Sequence, residues 1–391
     1  MRRYGLLALG FLLGCSGVTT AALRLGADAG SVVTDVTGID AFDAPKFVDA
    51  GPSPDLGAAV DVPMAPVDVP VASDDVGAPA DVVTPPPDDA GDPCGGCAPG
   101  FTCYAGLCRN AAGIPAFGQA YVIVMENESR GSIRGSANAP YINGLLSTAA
   151  VANAYQSVAH PSLPNYIALT SGGTQGISCD CQPGTSSGTC NITCLVLTDC
   201  NCNRAVSHLG DQLDAASRTW RAYGQGMGAP CNFHSSGSYA VRHLPFFYYD
   251  NLRTDAARCS EHMRDIGDLG GDLGHRAFSL VIPDLCHDMH DSCAPTNNAI
   301  RQGDDWLRAT VPQILAAPGF DRDGVLFIVW DEGNLSLFND IMLLAIGPLV
   351  RPGTTTAARD HYSLLATLED GLGLPRLGSA TTATPLREMF R

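Results

Sequence analysis

The run Ala120-Tyr121-Val122-Ile123-Val124-Met125, followed at once by Glu126-Asn127, is apolar throughout and rich in β-branched residues. A continuous run of this kind fits a strand covered on both faces, as in a parallel sheet sandwiched by helices. The layout recurs. Ala277-Phe278-Ser279-Leu280-Val281-Ile282 ends in Pro283-Asp284, and Val325-Leu326-Phe327-Ile328-Val329-Trp330 ends in Asp331-Glu332. A fourth run, Ile341-Met342-Leu343-Leu344-Ala345-Ile346, ends in Gly347-Pro348. Between the runs lie helix-like stretches at residues 141–150, 205–217, 298–316 and 361–372, the last stopping near Gly371 and Gly373. Buried strands alternating with helices predict an α/β fold with a mainly parallel sheet, whose ligands sit at the carboxyl ends of the strands.

Three of the four runs deliver acidic groups to that edge. One acid after a strand is commonly a helix cap or a turn, and Asp284 alone reads that way. Glu126, Asn127, Asp331 and Glu332 together form a set of hard oxygen donors, whose mutual repulsion a divalent cation relieves. A solvated acidic rim is the alternative. His287, Asp288, His290 and Asp291 lie within one short loop and carry imidazole and carboxylate donors suited to zinc, manganese or iron, or to orienting an anion. His208, His234, His262 and His275 stay unassigned, and His361 either joins the site or opens the last helix, with Asp360 as its cap.

Four separated segments, in order over about residues 117–380, resemble the bacterial and fungal phosphoesterase family of acid phosphatases and phospholipases C, distant relatives of the alkaline phosphatase superfamily. The opening strand with Glu126-Asn127 looks like that family's metal-binding start. His160-Pro161-Ser162-Leu163-Pro164-Asn165-Tyr166, with Thr170-Ser171-Gly172 after it, resembles the nucleophile segment. Arg242-His243-Leu244-Pro245-Phe246 and Pro283 to Asp291 resemble two histidine-bearing loops, and Trp330-Asp331-Glu332 with the late His361 completes the pattern. One departure is the Glu128-Ser129-Arg130-Gly131 stretch, where many members place Ser-Phe/Tyr-Asp, so the bracing of the first loop is open.

The resemblance implies an alkaline-phosphatase-like fold and hydrolysis of a small phosphate ester. It assigns Ser162 the attack on phosphorus, giving a phosphoserine intermediate, and Glu126, Asn127, Asp331 and Glu332 the metal. Such an arrangement has a chemical reason, because a serine hydroxyl needs a base or a cation to become nucleophilic near neutral pH. His160, Asn165, His243 and His290 are assigned to phosphate contacts or acid-base work, and Asp288 joins them. Magnesium, manganese, zinc, calcium and iron all remain open as the cofactor. A phosphomonoesterase is the leading expectation, with a phospholipase C or phosphodiesterase, or an inactive tethered binding module, as alternatives.

The rest of the chain reads as delivery. Arg2-Arg3 and a short apolar run precede Leu12-Leu13-Gly14-Cys15, and the run is too short to span a bilayer. It resembles a lipoprotein signal over residues 1–17, which implies lipidation of Cys15, export to the bacterial envelope, and an outer-membrane or cell-surface location. Residues 18–93 carry 14 Asp, no Glu and only Arg24 and Lys46 as cations. That composition, broken by Pro, predicts a disordered tether with a span of roughly 50 Å. Of the formal net charge of −17, +2 lies in residues 1–17, −12 in this segment and −7 in residues 94–391. No basic stripe is visible, which excludes nucleic acid as a partner, and no obligate protein partner is evident.

Fifteen cysteines, less Cys15, leave an even set for an oxidising compartment. Cys94, Cys97, Cys103 and Cys108 predict a two-disulfide collar over residues 94–108, ahead of a catalytic domain at 117–391. A Cys-rich insertion at 179–202 is expected to roof the pocket.

Overall fold

The computed structural model describes residues 93–184, 202–334 and 339–391. The lipoprotein signal with Cys15, all but the last residue of the tether, and residues 185–201 of the insertion lie outside the described residues. The collar is a hairpin of β1 (Thr102–Tyr104) and β2 (Leu107–Arg109), stapled by Cys94–Cys103 and Cys97–Cys108. Ala105 and Gly106 both have positive φ, as a two-residue turn of the right twist requires. Backbone bonds from Asn110 to Ile114 and from Ala116 to Cys108 tie it to the main body.

The main sheet runs in the order β10 (Gly353–Thr355), β4 (Ala150–Gln156), β9 (Asp340–Ile346), β8 (Gly324–Trp330), β3 (Gln119–Met125), β7 (Phe278–Ile282), β5 (Trp220–Gly224) and β6 (Met263–Asp265), with β11 (Arg359–Asp360) beside β4. From β8 to β6 every pairing is parallel, as expected from the apolar runs. Strand β9 is the exception, antiparallel to both neighbours. Its connection from β8 is too short for a parallel crossover, which takes a dozen residues or more. The Gly347-Pro348 end of β9 therefore points away from the acidic edge.

Two expected helices shrink. The stretch at 141–150 is a helix only over Pro140–Leu145, and Ala150 instead opens β4. The stretch at 205–217 is a helix over Leu209–Ala215, because His208 caps it, accepting the Gly210 N–H at 3.1 Å. The other two match closely. Asn298 caps Ala299–Leu315, Asp360 caps His361–Leu372, and Gly373 closes the latter in the left-handed conformation. Further disulfides join Cys181–Cys202, Cys231–Cys259 and Cys286–Cys293.

Glu369 on the last helix is a buried acid remote from the strand ends. Its Oε1 accepts the Leu377 N–H at 2.9 Å, whereas Oε2 and the nearby Gln212 Oε1 are acceptors without a donor. Burial raises its pKa from 4.5 to about 8, against the hydrogen bond from Leu377 and the charge of Arg376. The folded state thus holds a proton that the unfolded chain releases. The stability from this group is complete below about pH 4.5 and is lost as pH rises toward about 8. Glu369→Gln keeps a donor at all pH values, so it is expected to raise stability by about 2 kcal/mol at pH 9 and change little at pH 5. Melting curves at the two pH values check this.

Candidate active site

Strands β3 and β8 pair in register from Gln119↔Gly324 to Met125↔Trp330. Their next residues, Glu126 and Asp331, therefore emerge side by side, and the Asp331 N–H donates to the Met125 carbonyl at 2.9 Å. The Glu126 N–H in turn donates to the Asp288 carbonyl at 2.7 Å, which fixes the loop after β7 against the same edge. In that loop Met289 has φ 84°, and a side chain on Gly303 would meet Met289 at 2.4 Å, so the loop seats only on a bare helix position.

Ser162 is not a loop residue, as its two flanking prolines alone would indicate. It is the first residue of the helix Ser162–Ser171, where Pro161 as cap and Pro164 in the first turn cost no internal hydrogen bond. Its Oγ donates to Glu126 Oε2 at 2.9 Å and lies 3.5 Å from Glu332 Oε1. The Leu163 N–H donates to Asp180 at 2.9 Å, so the start of the Cys-rich insertion caps this helix.

Glu126 is fully buried and has a second set of neighbours. Its Oε1 accepts from the Tyr166 hydroxyl and lies 3.4 Å from His243 Nε2, while His243 Nδ1 lies 3.3 Å from Asp288 Oδ2. Tyr166 stacks on His243 with ring centroids 5.4 Å apart and planes 8° apart. His160 Nδ1 is 2.5 Å from Glu332 Oε2, with its side chain 40% exposed at the mouth. His290 donates through Nδ1 to Asp291 and accepts from Arg242 through Nε2 at 3.2 Å.

Asn165 and Asn127 are placed differently from the expectation, and His361 opens the last helix behind the Asp360 cap, the second of its two readings. Asn165 spends its whole carboxamide on backbone: its oxygen accepts from Val158 and Ala159, and its amide donates to Ala159 and Pro161. It braces the turn before Ser162, with no group left for phosphate. Asn127 meets the site through its backbone, whose N–H donates to Asp331 Oδ1 at 3.1 Å, and its φ of 51° is one that Asn tolerates. His361 lies beneath the site: Nε2 donates to the Asp331 carbonyl at 2.7 Å and Nδ1 accepts from Tyr155. Asp284 is a turn acid, as read, accepting from Cys286, His287 and Ser238. The divergent first loop is braced by Ser129 on Asn334 and by Arg130 on Asn153 and Asp340.

The electrostatics are those of crowded buried acids. Burial, then the charges of Asp331 and Asp288, raises Glu126 well above the carboxylate range. Burial raises Asp288 as well, lifts Asp331 to about 7, and with the Asp331 charge lifts Glu332 to about 9. Burial, then the charges of Arg242 and His290, holds His243 well below its ordinary value and so neutral. Asp331 Oδ2, Asp288 Oδ2 and both ring nitrogens of His243 are buried without a hydrogen-bond partner. Ligand atoms of Glu126, His243 and Asp288 lie within 4.8 Å of one another. Orphaned acceptors and a neutral imidazole around shared carboxylates fit a divalent cation chemically. His243 and Asp288, assigned to phosphate or acid-base work in the sequence, thus stand with the ligand donors. Tyr166, Arg242 and Asp180 were not singled out as site residues at all. Tyr166 was legible only as the last residue of the nucleophile segment.

An α/β sheet edge with a helix-terminal serine over clustered acids defines a hydrolase site of the phosphoryl-transfer type. The phosphoesterase family model matches residues 132–375. The chain is 31% identical over 281 residues to a phosphatidylinositol-3-phosphatase of Mycobacterium tuberculosis, covering 72% of this chain and 85% of that one. An acid phosphatase of Aspergillus fumigatus is 25% identical, over 69% of this chain and 58% of the fungal one, so the chain spans little more than half of that relative. Among solved structures, an alkaline phosphatase superfamily protein from Vibrio parahaemolyticus aligns at 14% identity and a TM-score of 0.46, covering 70% of this chain and 72% of that one. The chain belongs to the phosphoesterase family, and it is a hydrolase of phosphate esters.

Proposed function

We propose that the chain is a metal-dependent phosphomonoesterase that works through a phosphoserine on Ser162. The observation that carries the reading is Ser162 Oγ, at a helix start, 2.9 Å from Glu126 Oε2 in a buried cluster with Asp331, Glu332, His243 and Asp288. Glu126, Asp331 and Glu332 beside Ser162, with His243 and Asp288 behind Glu126, would hold a divalent cation, and the Asn127 backbone would brace Asp331. Such a cation supplies charge neutralisation for the phosphoryl oxygens and a lower pKa for the serine hydroxyl.

Ser162 Oγ gives its proton toward the Glu126 carboxylate that it already bonds and forms the new bond to phosphorus as the ester P–O bond breaks, and the leaving alkoxide takes up a proton to depart as the alcohol. Hydrolysis of the phosphoserine then returns the hydroxyl and releases phosphate. We assign proton transfer to His160, 2.5 Å from Glu332 Oε2 at the mouth, and to His290 beside Arg242. His243 is fully buried and so is not assigned that role, and the charge of Arg242, 3.2 Å from His290 and 3.7 Å from Asp180, would serve the phosphoryl oxygens. The names of the relatives, phosphatases all, favour a monoester over the phosphodiester of a phospholipase C, and the mycobacterial one directs attention to a lipid-borne monoester.

The five described disulfides favour an oxidising compartment. With the signal at residues 1–17, they support export and anchoring at Cys15; among the described residues no helix is long and apolar enough to cross a membrane. A panel of p-nitrophenyl phosphate, bis(p-nitrophenyl) phosphate, phosphatidylinositol 3-phosphate and phosphatidylcholine tests the substrate class. Monoester turnover is expected to exceed bis-ester turnover by at least about 100-fold. Faster release from phosphatidylcholine or the bis-ester would replace this reading with the phosphodiesterase one.

A further inference from the structure

On the far edge of the sheet, a groove of about 1100 Å3 runs between the collar and the last residues of the chain. Five arginines line it, Arg109, Arg351, Arg359, Arg387 and Arg391, against one acidic side chain, Glu388. These side chains leave a surplus of four positive charges. This is unusual on a chain whose formal net charge is −17.

The arginines are held by groups that leave most of their charge uncompensated. Arg109 donates to the Gly113 carbonyl at 2.8 Å, Arg351 to the Glu388 carbonyl at 2.8 Å, and Arg391 to the Val350 carbonyl at 3.0 Å. Arg359 takes the Glu388 carboxylate at 2.9 Å, yet its Nε is buried without a partner. The Arg387 side chain has neither hydrogen bond nor ion pair among the described residues, and its charge adds to burial in lowering the pKa of Arg109. Like charges gathered and fixed around a cavity are stabilised when an anion enters, and the guanidinium fork matches phosphate oxygens two at a time. The space is far larger than one phosphate group needs. Tyr104, at the tip of the collar hairpin and 71% exposed, forms an aromatic lip on the same groove.

We propose that this groove is a second anion site, which binds a ligand carrying more than one phosphate charge, apart from the catalytic centre. None of its lining residues belongs to the Ser162 cluster, and β11, which carries Arg359 beside β4, lies three strand spacings from β8, roughly 14 Å. The inference needs only the groove and does not rest on the hydrolytic reading. The phosphate can come from a soluble oligophosphate or from the headgroups of an anionic bilayer, and Tyr104 beside arginines suits a headgroup layer.

Two measurements on the full-length chain test it, in a Ser162→Ala background so that no ligand is turned over. Calorimetric titration with tripolyphosphate is the soluble arm. Co-sedimentation with phosphatidylcholine vesicles, with and without phosphatidylglycerol, is the lipid arm, and an N-terminal lipid would contribute equally to both vesicle types. Binding in either arm that Arg387→Ala weakens at least about tenfold, with Arg351→Ala acting the same way, is the expected result. The Arg387 guanidinium makes no hydrogen bond among the described residues, so its removal should leave the melting temperature and, with Ser162 present, ester turnover unchanged. Tripolyphosphate and phosphatidylglycerol binding that both arginine variants retain in full, no binding in either arm, or equally tight binding of citrate would overturn the proposal.

Discussion

Ser162→Ala is expected to lower kcat for a phosphate monoester by about 10³- to 10⁵-fold, roughly 4 to 7 kcal/mol of activation free energy. The side chain is 2% exposed and contributes one hydrogen bond to Glu126, so the same change should cost only about 1 kcal/mol of fold stability. A large kinetic loss with a small thermal one separates a nucleophile from a packing residue. Steady-state kinetics on p-nitrophenyl phosphate and a melting curve give both readings. Loss confined to KM would mean that Ser162 binds substrate without taking the phosphoryl group.

Glu126→Gln is expected to have opposite effects on activity and on the stability of the metal-free fold. Glu126 lies between Ser162 on one side and Tyr166, His243 and Asp288 on the other, and Asp331 and Asp288 both repel its charge. Without a cation, its ionised form is a liability in a fully buried place. The amide removes that charge, so in chelator the variant should melt higher than wild type at pH 8. Added divalent metal should reverse the order, because a cation at 100 times its dissociation constant stabilises wild type by about 2.7 kcal/mol and a weakened site by less. Turnover in saturating metal should fall by about 10³-fold. Equal melting of both proteins with and without metal would remove Glu126 from the ligand set.

The central strands and their acidic ends were legible in the sequence because long β-branched runs have one stable place, a sheet covered on both faces. The register that sets Glu126 beside Asp331 follows from matching those runs. Strand β4 was not legible, since Ala150-Val151-Ala152-Asn153-Ala154-Tyr155 holds few strand-favouring residues and follows a short helix without a clear stop. The orientation of β9 depended on loop length, which the apolar pattern does not report. Ser162 was legible through family resemblance alone, as its prolines mark a loop and a helix start equally well. The stack of Tyr166 on His243, the saturation of Asn165 by backbone, and the arginine groove assembled from residues 109 to 391 are products of tertiary packing. No local pattern announces them.

A phosphoserine mechanism requires a covalent phosphoryl group at Ser162. Wild-type enzyme mixed with excess monoester, quenched in acid within one turnover and digested, should yield the peptide containing Ser162 with one added phosphoryl group. Ser162→Ala treated in the same way should yield none. A quenched wild type that releases product in a burst yet carries no phosphoryl group on Ser162 would contradict the account.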